Sequence, residues 1–121
     1  MSKVAILYGI DNCDQVRKAK AWLKQNSIEF TFHDFRKAGL SEELLKSWFV
    51  HLPWDTLLNR KGTTWRKLSE DVRLSITDQM SAQALLLGEP TLIKRPVLVF
   101  NDKVSVGFSP EVYEHLFAAP A

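Results

Sequence analysis

The sequence predicts one small α/β domain with the element order βαβ, helices, ββα. Short runs of strand-forming residues stand towards both ends of the chain, at residues 3–8, 28–35, 95–100 and 103–108. Residues 40–90, about the middle of the chain, carry helical patterns and are predicted to form a helical insertion. A chain of 121 residues is long enough to bury a core without disulfides or metals. We therefore expect residues 1–121 to form a single domain.

The first strand and the first helix flank Cys13, the only cysteine of the chain. "KVAILY" (residues 3–8) is a continuous apolar run, typical of a strand covered on both faces, although a short buried helix would give the same pattern. Apolar residues then recur at helical spacing, at Val16, Ala19 and Leu23. We expect Asn12 to cap this helix, which then begins at or beside Cys13.

"IEFTFHDF" (residues 28–35) alternates apolar with polar residues and predicts a second strand. A strand, helix and strand of this length predict a parallel pair joined by a right-handed crossover. Ligand sites of open α/β sheets lie beyond the carboxyl ends of parallel strands. Cys13 is therefore expected where chemistry takes place in such folds.

The insertion contains two predicted amphipathic helices. Ser41 begins the first, which Pro53 should end, and Gly88 with Pro90 closes the second. After the insertion, the dipeptide "ND" at residues 101–102 predicts a tight turn between two hairpin strands.

The last strand and the last helix supply further core residues. In the second hairpin strand the apolar residues predicted to share one face are Val104, Val106 and Phe108. Ser109 as cap, Pro110 and Glu111 predict the start of a final helix. The residues of this helix expected to face the core are Val112, Leu116 and Phe117.

Composition excludes several classes of function. A single cysteine forms no internal disulfide, and the sequence does not open with a secretory pattern, so a reducing cytoplasm is the expected setting. The longest apolar run, around residues 84–87, is far shorter than the roughly 20 residues that span a bilayer. A formal net charge of +2 does not indicate a dedicated nucleic-acid binder. We expect neither membrane nor direct nucleic-acid partners.

The position of Cys13 has two interpretations. At a helix N-terminus the dipole and the free amides favour the thiolate, which is the nucleophilic form. A lone cysteine is, however, commonly an inert small hydrophobe, and a negative charge on the neighbouring Asp14 would raise the pKa of the thiol. Position alone leaves both interpretations open.

Two basic segments are candidate anion-binding sites. "NRKGTTWRK" places Arg60 and Lys61 before a glycine, a composition suited to an anion-holding loop or to an ordinary solvated one. "KRPV" places Arg95 before Pro96 at the entrance to a strand, where a proline marks an edge, a strand start or a cis turn. The histidines lack metal-ligand spacing, and we expect no metal site.

Taken together, the strand before Cys13, the helical insertion, "LLNRKGTTWR", "LIKRPVLVF" and "GFSPEVYEHL" resemble the arsenate reductase (ArsC) family. This family belongs to the thioredoxin superfamily and also includes the Spx regulators and small reductase-like proteins. The resemblance covers nearly the whole chain and implies a thioredoxin-like fold with a cis peptide bond at Arg95-Pro96. The basic motifs look like those of the branch associated with glutathione.

The resemblance implies a cytoplasmic oxidoreductase with Cys13 as the nucleophile and Arg60, Lys61, Arg95 and Pro96 in substrate or anion binding. Glutathione is the implied co-substrate, with glutaredoxin as a further possible partner and no tightly bound cofactor. In arsenate reductases of this type arginines bind the oxyanion, but a third family arginine would fall near Phe108, where this chain has no basic residue. Arsenate reduction is therefore expected to be weak.

A non-enzymatic protein of the same fold is the alternative implied by the resemblance. Spx regulators bind RNA polymerase and commonly carry a C-x-x-C switch. In this chain Cys13 is followed by Asp14, Gln15 and Val16, so that switch cannot form. A slow thiol with an ordinary pKa would favour this partner-binding alternative.

Overall fold

The computed structural model describes residues 4–118. Its strands and helices are β1 Ala5–Gly9, α1 Asp14–Gln25, β2 Phe30–Asp34, α2 Glu42–Phe49, α3 Trp54–Leu57, α4 Thr63–Lys67, α5 Glu70–Leu74, α6 Gln79–Gly88, β3 Val97–Phe100, β4 Lys103–Val106 and α7 Pro110–Ala118. A 3-10 helix, Pro90–Leu92, follows α6. Lys3, predicted to begin the first strand, lies outside the described residues.

The described chain divides into two compact units. Residues 4–38 and 95–118 form the first unit, and residues 39–94 form the second. The first unit contains a four-stranded sheet in the order β2-β1-β3-β4. β1 and β2 are parallel, whereas β3 is antiparallel to both β1 and β4. The predicted parallel βαβ unit and the predicted hairpin are both confirmed.

The hairpin turn follows from the conformations of its central residues. Asn101 and Asp102 have φ angles of 52° and 64°. Two consecutive positive φ angles match the twist of the flanking strands, and asparagine and aspartate tolerate this region better than most residues. The turn aligns Val97 with Val106 and Val99 with Val104.

The core of the first unit lies between the sheet and the helices α1 and α7. Its fully buried members are Ala5, Leu7, Ala19, Leu23, Leu98 and Tyr113. The Tyr113 ring packs edge-on against Trp22 and Phe108, with centroid distances of 5.5 and 5.0 Å. Its hydroxyl has no hydrogen-bond partner among the described residues, and burial raises the pKa of Tyr113 well above its usual value. Tyr113 therefore serves as an apolar core residue.

Two predictions about core residues are wrong. Val112 was expected in the core but is 46% exposed, and the residue of α7 that is buried is Tyr113. Phe108 was expected to share a face with Val104 and Val106. It lies beyond the end of β4, after Gly107 at φ 77°, and packs against the core cluster instead. The left-handed residue interrupts the strand alternation on which the prediction relied.

The second unit is helical, as the sequence predicts. Ser41 caps α2 by accepting a hydrogen bond from the Leu44 amide at 3.1 Å. The helix α6 begins with a reciprocal capping box between Asp78 and Ser81. The apolar faces of these helices bury large side chains, among them Leu45, Trp48, Leu57 and Leu86. Helix caps and buried apolar side chains together explain why residues 39–94 form packed helices.

The end of β1 approaches the first turn of α1 closely at Gly9. A Cβ atom added to Gly9 would lie 2.7 Å from Cγ2 of Val16, which is closer than real Cβ contacts. Val16 is itself fully buried, so its branched side chain has little room to move. Gly9 thus allows α1 to begin directly against the sheet.

We expect Gly9→Ala to destabilise the protein by about 1–3 kcal/mol, because the added methyl group overpacks a filled site. Chemical denaturation monitored by circular dichroism measures the change. Gly88→Ala is the matched control, because a Cβ at Gly88 meets nothing within 4 Å. Equal stability of the two variants would show that the contact between Gly9 and Val16 does not limit packing.

Candidate active site

Cys13 occupies the N-cap position of α1. Its backbone is extended, with φ −136° and ψ 128°, and its carbonyl accepts a hydrogen bond from the Arg17 amide at 3.0 Å. The prediction that Asn12 caps the helix is wrong, because Asn12 accepts a hydrogen bond from the Arg17 guanidinium instead, at 3.2 Å. The thiol therefore lies at the end of a twelve-residue helix, half-buried.

The pKa of the Cys13 thiol is lowered, which favours the first of the two interpretations of its position. Burial opposes this shift, but the amides of Val16 and Gln15 and the side chain of Arg95 favour the thiolate and outweigh burial. The sulfur makes no close capping hydrogen bond, so the two amides act on it through longer contacts. These amides belong to the first turn of α1, whose free donors the sequence already predicted to favour the thiolate.

Asp14 does not act as the sequence suggested. It was expected to raise the pKa of the thiol, yet it is not among the groups that shift the pKa of Cys13. Its carboxylate forms an ion pair with Arg17, one turn further along the helix. The guanidinium offsets the charge of the carboxylate beside the thiol.

The first unit brings Arg95 to Cys13, and Pro96 follows Arg95 in the chain. The Arg95-Pro96 peptide bond is cis, as predicted, and Pro96 is buried directly before β3. The Pro96 carbonyl accepts a hydrogen bond from the Gly107 amide at 2.8 Å. The Arg95 side chain is half-buried and acts on the Cys13 thiolate through both a hydrogen bond and its charge. The Cys13 thiol thus lies beside a guanidinium that favours its ionisation.

Arg60 and Lys61 lie in the second unit, between α3 and α4, and both are exposed. The Arg60 guanidinium carbon is 5.7 Å from the ring centroid of Trp54 and 5.8 Å from that of Trp65. The Lys61 amide donates to the Asn59 side chain at 3.1 Å, which shapes the loop. Flanking rings restrict the guanidinium without using its hydrogen-bond donors, and these stay available for an anion.

Other kinds of site are not found in the part of the chain that the structure describes. Within residues 4–118 no group of three or more histidine, cysteine, aspartate or glutamate side chains could hold a metal ion. Among the same residues, no helix combines the length and the apolar character needed to cross a membrane.

Most of the chain matches the model of a known protein family. The model of the ArsC family matches residues 8–116. The chain belongs to the ArsC family. This membership confirms the resemblance drawn from the motifs, and it places the chain in the thioredoxin superfamily.

Solved structures of ArsC-related proteins share the fold. The YffB protein is 40% identical, with a TM-score of 0.88, and the match covers 93% of this chain and 98% of that protein. An arsenate reductase-related protein from Brucella melitensis is 48% identical, with a TM-score of 0.76 and 98% of both chains covered. The predicted thioredoxin-like α/β fold is therefore confirmed.

Curated ArsC relatives include proteins of different kinds. An uncharacterised protein of Haemophilus influenzae is 42% identical over 93% of this chain and 97% of its own length. The regulatory protein MgsR of Bacillus subtilis is 31% identical over 91% of this chain and 87% of its own length. The family thus contains both reductase-related proteins and regulators.

We expect Arg95→Met to raise the pKa of Cys13, because it removes a hydrogen bond and a positive charge that favour the thiolate. The rate of iodoacetamide alkylation, followed across pH, should show a midpoint at higher pH than in the wild type. Arg36→Met is the control, because Arg36 is an exposed arginine of the same unit that does not act on Cys13.

The same shift gives stability a defined pH dependence. A thiol with a lowered pKa in the folded state stabilises that state fully above the unfolded pKa of about 8.5. The contribution is lost as the pH falls through the lower folded value. The stability of the wild type relative to Cys13→Ala should therefore rise with pH across this window, and a flat difference would contradict the shift.

Proposed function

We propose that this ArsC-family chain is a glutathione-dependent thiol reductase in which Cys13 is the nucleophile. The observation that carries the proposal is the Cys13 thiol at the N-terminus of α1, with its pKa lowered by the helix amides and by Arg95. Thiolate, rather than thiol, attacks disulfide sulfur. Such a free thiol is suited to a reducing cytoplasm, where we place the protein.

The proposed reaction proceeds in three thiol–disulfide exchange steps. The Cys13 thiolate attacks one sulfur of a disulfide substrate, a mixed disulfide forms, and the released thiolate takes a proton from water. Because Cys13 is the only cysteine, the second thiol must come from outside the chain. Glutathione supplies it. In the second exchange one glutathione displaces the substrate thiol and forms a mixed disulfide with Cys13. In the third exchange a second glutathione attacks this mixed disulfide and releases the Cys13 thiolate. The substrate disulfide is thereby reduced to two thiols, while two glutathione molecules become oxidised glutathione.

The basic residues proposed to bind the glutathione carboxylates are Arg60, Lys61 and Arg95. Glutathione carries two carboxylates, which pair well with guanidinium groups. Arg95 acts at the thiol itself, and Arg60, held between two indole rings, offers a preorganised donor set beside Lys61. Pro96 is proposed to fix the backbone of Arg95 for pairing with the substrate. Glutaredoxin is a further possible reductant for the mixed disulfide.

Partner binding without catalysis is a second candidate, favoured by the relatives MgsR and the Spx regulators. In this alternative the chain would bind RNA polymerase, as the Spx resemblance implies. It needs no reactive thiol, so an alkylation midpoint at or above the free-cysteine value of about 8.5 would favour it.

We expect Cys13 to form a one-to-one mixed disulfide with oxidised glutathione, because the favoured thiolate attacks the glutathione disulfide. Mass spectrometry of the intact protein should show one glutathione adduct, which reduced glutathione in excess removes. Cys13→Ser should show none, and Arg95→Met should form the adduct more slowly. A wild type that stays unmodified under these conditions would contradict the proposed function.

Arsenate should be a poor substrate, because an oxyanion without a full set of charged donors loses hydrogen bonds of roughly 1.5–3 kcal/mol each. The residue near the missing arginine, Phe108, packs edge-on against Tyr113. Arsenate reduction with glutathione and glutaredoxin should therefore be slow in the wild type and faster in Phe108→Arg. Phe108→Leu controls for lost ring packing. Efficient reduction by the wild type with no gain from the arginine would refute this expectation.

A further inference from the structure

The carboxylate of Asp34, at the end of β2, connects the turn that follows β2 to the loop that precedes Cys13. One oxygen accepts hydrogen bonds from the amides of Arg36 and Lys37, at 2.9 and 3.2 Å. The other oxygen accepts from the Asp11 amide at 3.3 Å, across 23 residues of sequence. Asp34 thus caps its own turn and also holds the loop that joins β1 to α1.

Lys20 contacts the same loop through the Asp11 side chain. Its ammonium donates to the Asp11 carboxylate at 3.0 Å and lies 3.7 Å from the centroid of the Phe32 ring. The Lys20 side chain is only 24% exposed, so the ion pair is partly shielded from water. Asp11 is therefore bound at both its amide and its carboxylate, by two residues from different elements.

We propose that Asp34 and Lys20 are positioning residues for the Cys13 thiol, because they fix the three-residue loop, residues 10–12, that places Cys13 at the start of α1. The inference deepens the proposed function and rests on it. A hydrogen bond weakens steeply with distance and angle, so the amides of Gln15 and Val16 support a thiolate only if the sulfur is held in place. Asp11 lies two residues before Cys13 and is the point where the loop is held.

The charge of Asp34 allows positioning to be separated from simple electrostatics. Although burial raises it, the pKa of Asp34 is lowered by the amides that its carboxylate accepts from, so the group is ionised at neutral pH. A nearby negative charge disfavours a thiolate, and removing it would make the thiol more reactive. Loss of positioning has the opposite effect and makes the thiol less reactive. The sign of the change therefore distinguishes the two roles.

Several charged groups lie on or beside the segment that carries the thiol. Arg95 acts on Cys13 directly, and Asp14 is engaged by Arg17. Asp11 is engaged by Lys20. Among these groups Asp34 alone binds the backbone of the loop, so its removal releases the loop without removing a cation from the thiol.

The test compares the iodoacetamide alkylation rate and its pH profile in the wild type, Asp34→Ala and Asp34→Asn. We expect Asp34→Ala to react about three- to tenfold more slowly at pH 7, as expected for the loss of about one hydrogen bond, with its midpoint moved to higher pH. Asp34→Asn keeps one oxygen that can accept from the amides of the turn, but its side-chain NH2 group cannot accept from the Asp11 backbone amide. The alkylation rate of this variant should therefore also fall. A rate that is unchanged or faster in both variants overturns the inference.

Asp78→Ala is the matched control, because Asp78 also accepts a backbone amide, that of Ser81 at 2.9 Å, but caps α6 in the second unit. It should lower stability and leave the alkylation rate at Cys13 unchanged.

Lys20→Met keeps an unbranched side chain over Phe32 but removes the ion pair with Asp11, and it should slow alkylation. Lys24→Met, which removes a charge from the exposed side of α1, should not. Circular dichroism tests whether each variant is folded at the assay temperature. If Asp34→Ala is unfolded, the alkylation rates of Asp34→Asn and Lys20→Met test the positioning role.

The outcomes separate the inference from the proposed function. If wild-type Cys13 forms no glutathione adduct, the proposed function fails, but the alkylation rates of the variants can still be compared. If the adduct forms at equal rates in the wild type and in folded Asp34→Asn and Lys20→Met, the function stands and the positioning role is refuted.

Discussion

The first turn of α1 packs directly against the end of β1, and the chemistry of Cys13 depends on this contact. Gly9 makes the close approach possible because Val16 occupies the space that a side chain would fill. The Gly9 carbonyl also accepts the Phe35 amide at 3.1 Å, which joins the ends of β1 and β2. The helix amides, the loop and the thiol therefore share one rigid support, and a thiolate benefits most from donors that do not have to move.

Local patterns in the sequence predicted the elements well, because strand alternation, helical spacing and caps are short-range signals. They failed in choosing between neighbouring residues. Asn12 is a better capping residue than Cys13 by type, yet Cys13 has the N-cap position. Val112 and Tyr113 are both apolar, and only the packing of α7 decides that Tyr113 is buried.

Contacts between distant residues were outside the reach of those patterns. Arg95 lies far along the chain from Cys13, and only the resemblance to a known family brought the two together before the structure did. The roles of Asp34 and Lys20 were not recognised at all. A carboxylate at the end of a strand and a lysine on a helix are ordinary surface residues by pattern, and their shared contact with Asp11 exists only in three dimensions.

The pair of indole rings around Arg60 has an optical consequence. Indole emission responds to the polarity and charge of its surroundings, and Trp54 and Trp65 both lie within 6 Å of one guanidinium. Trp22 and Trp48 pack with core residues and should contribute a steadier background. An anion that neutralises Arg60 would therefore change the intrinsic fluorescence of the protein, and its binding can be titrated without a label.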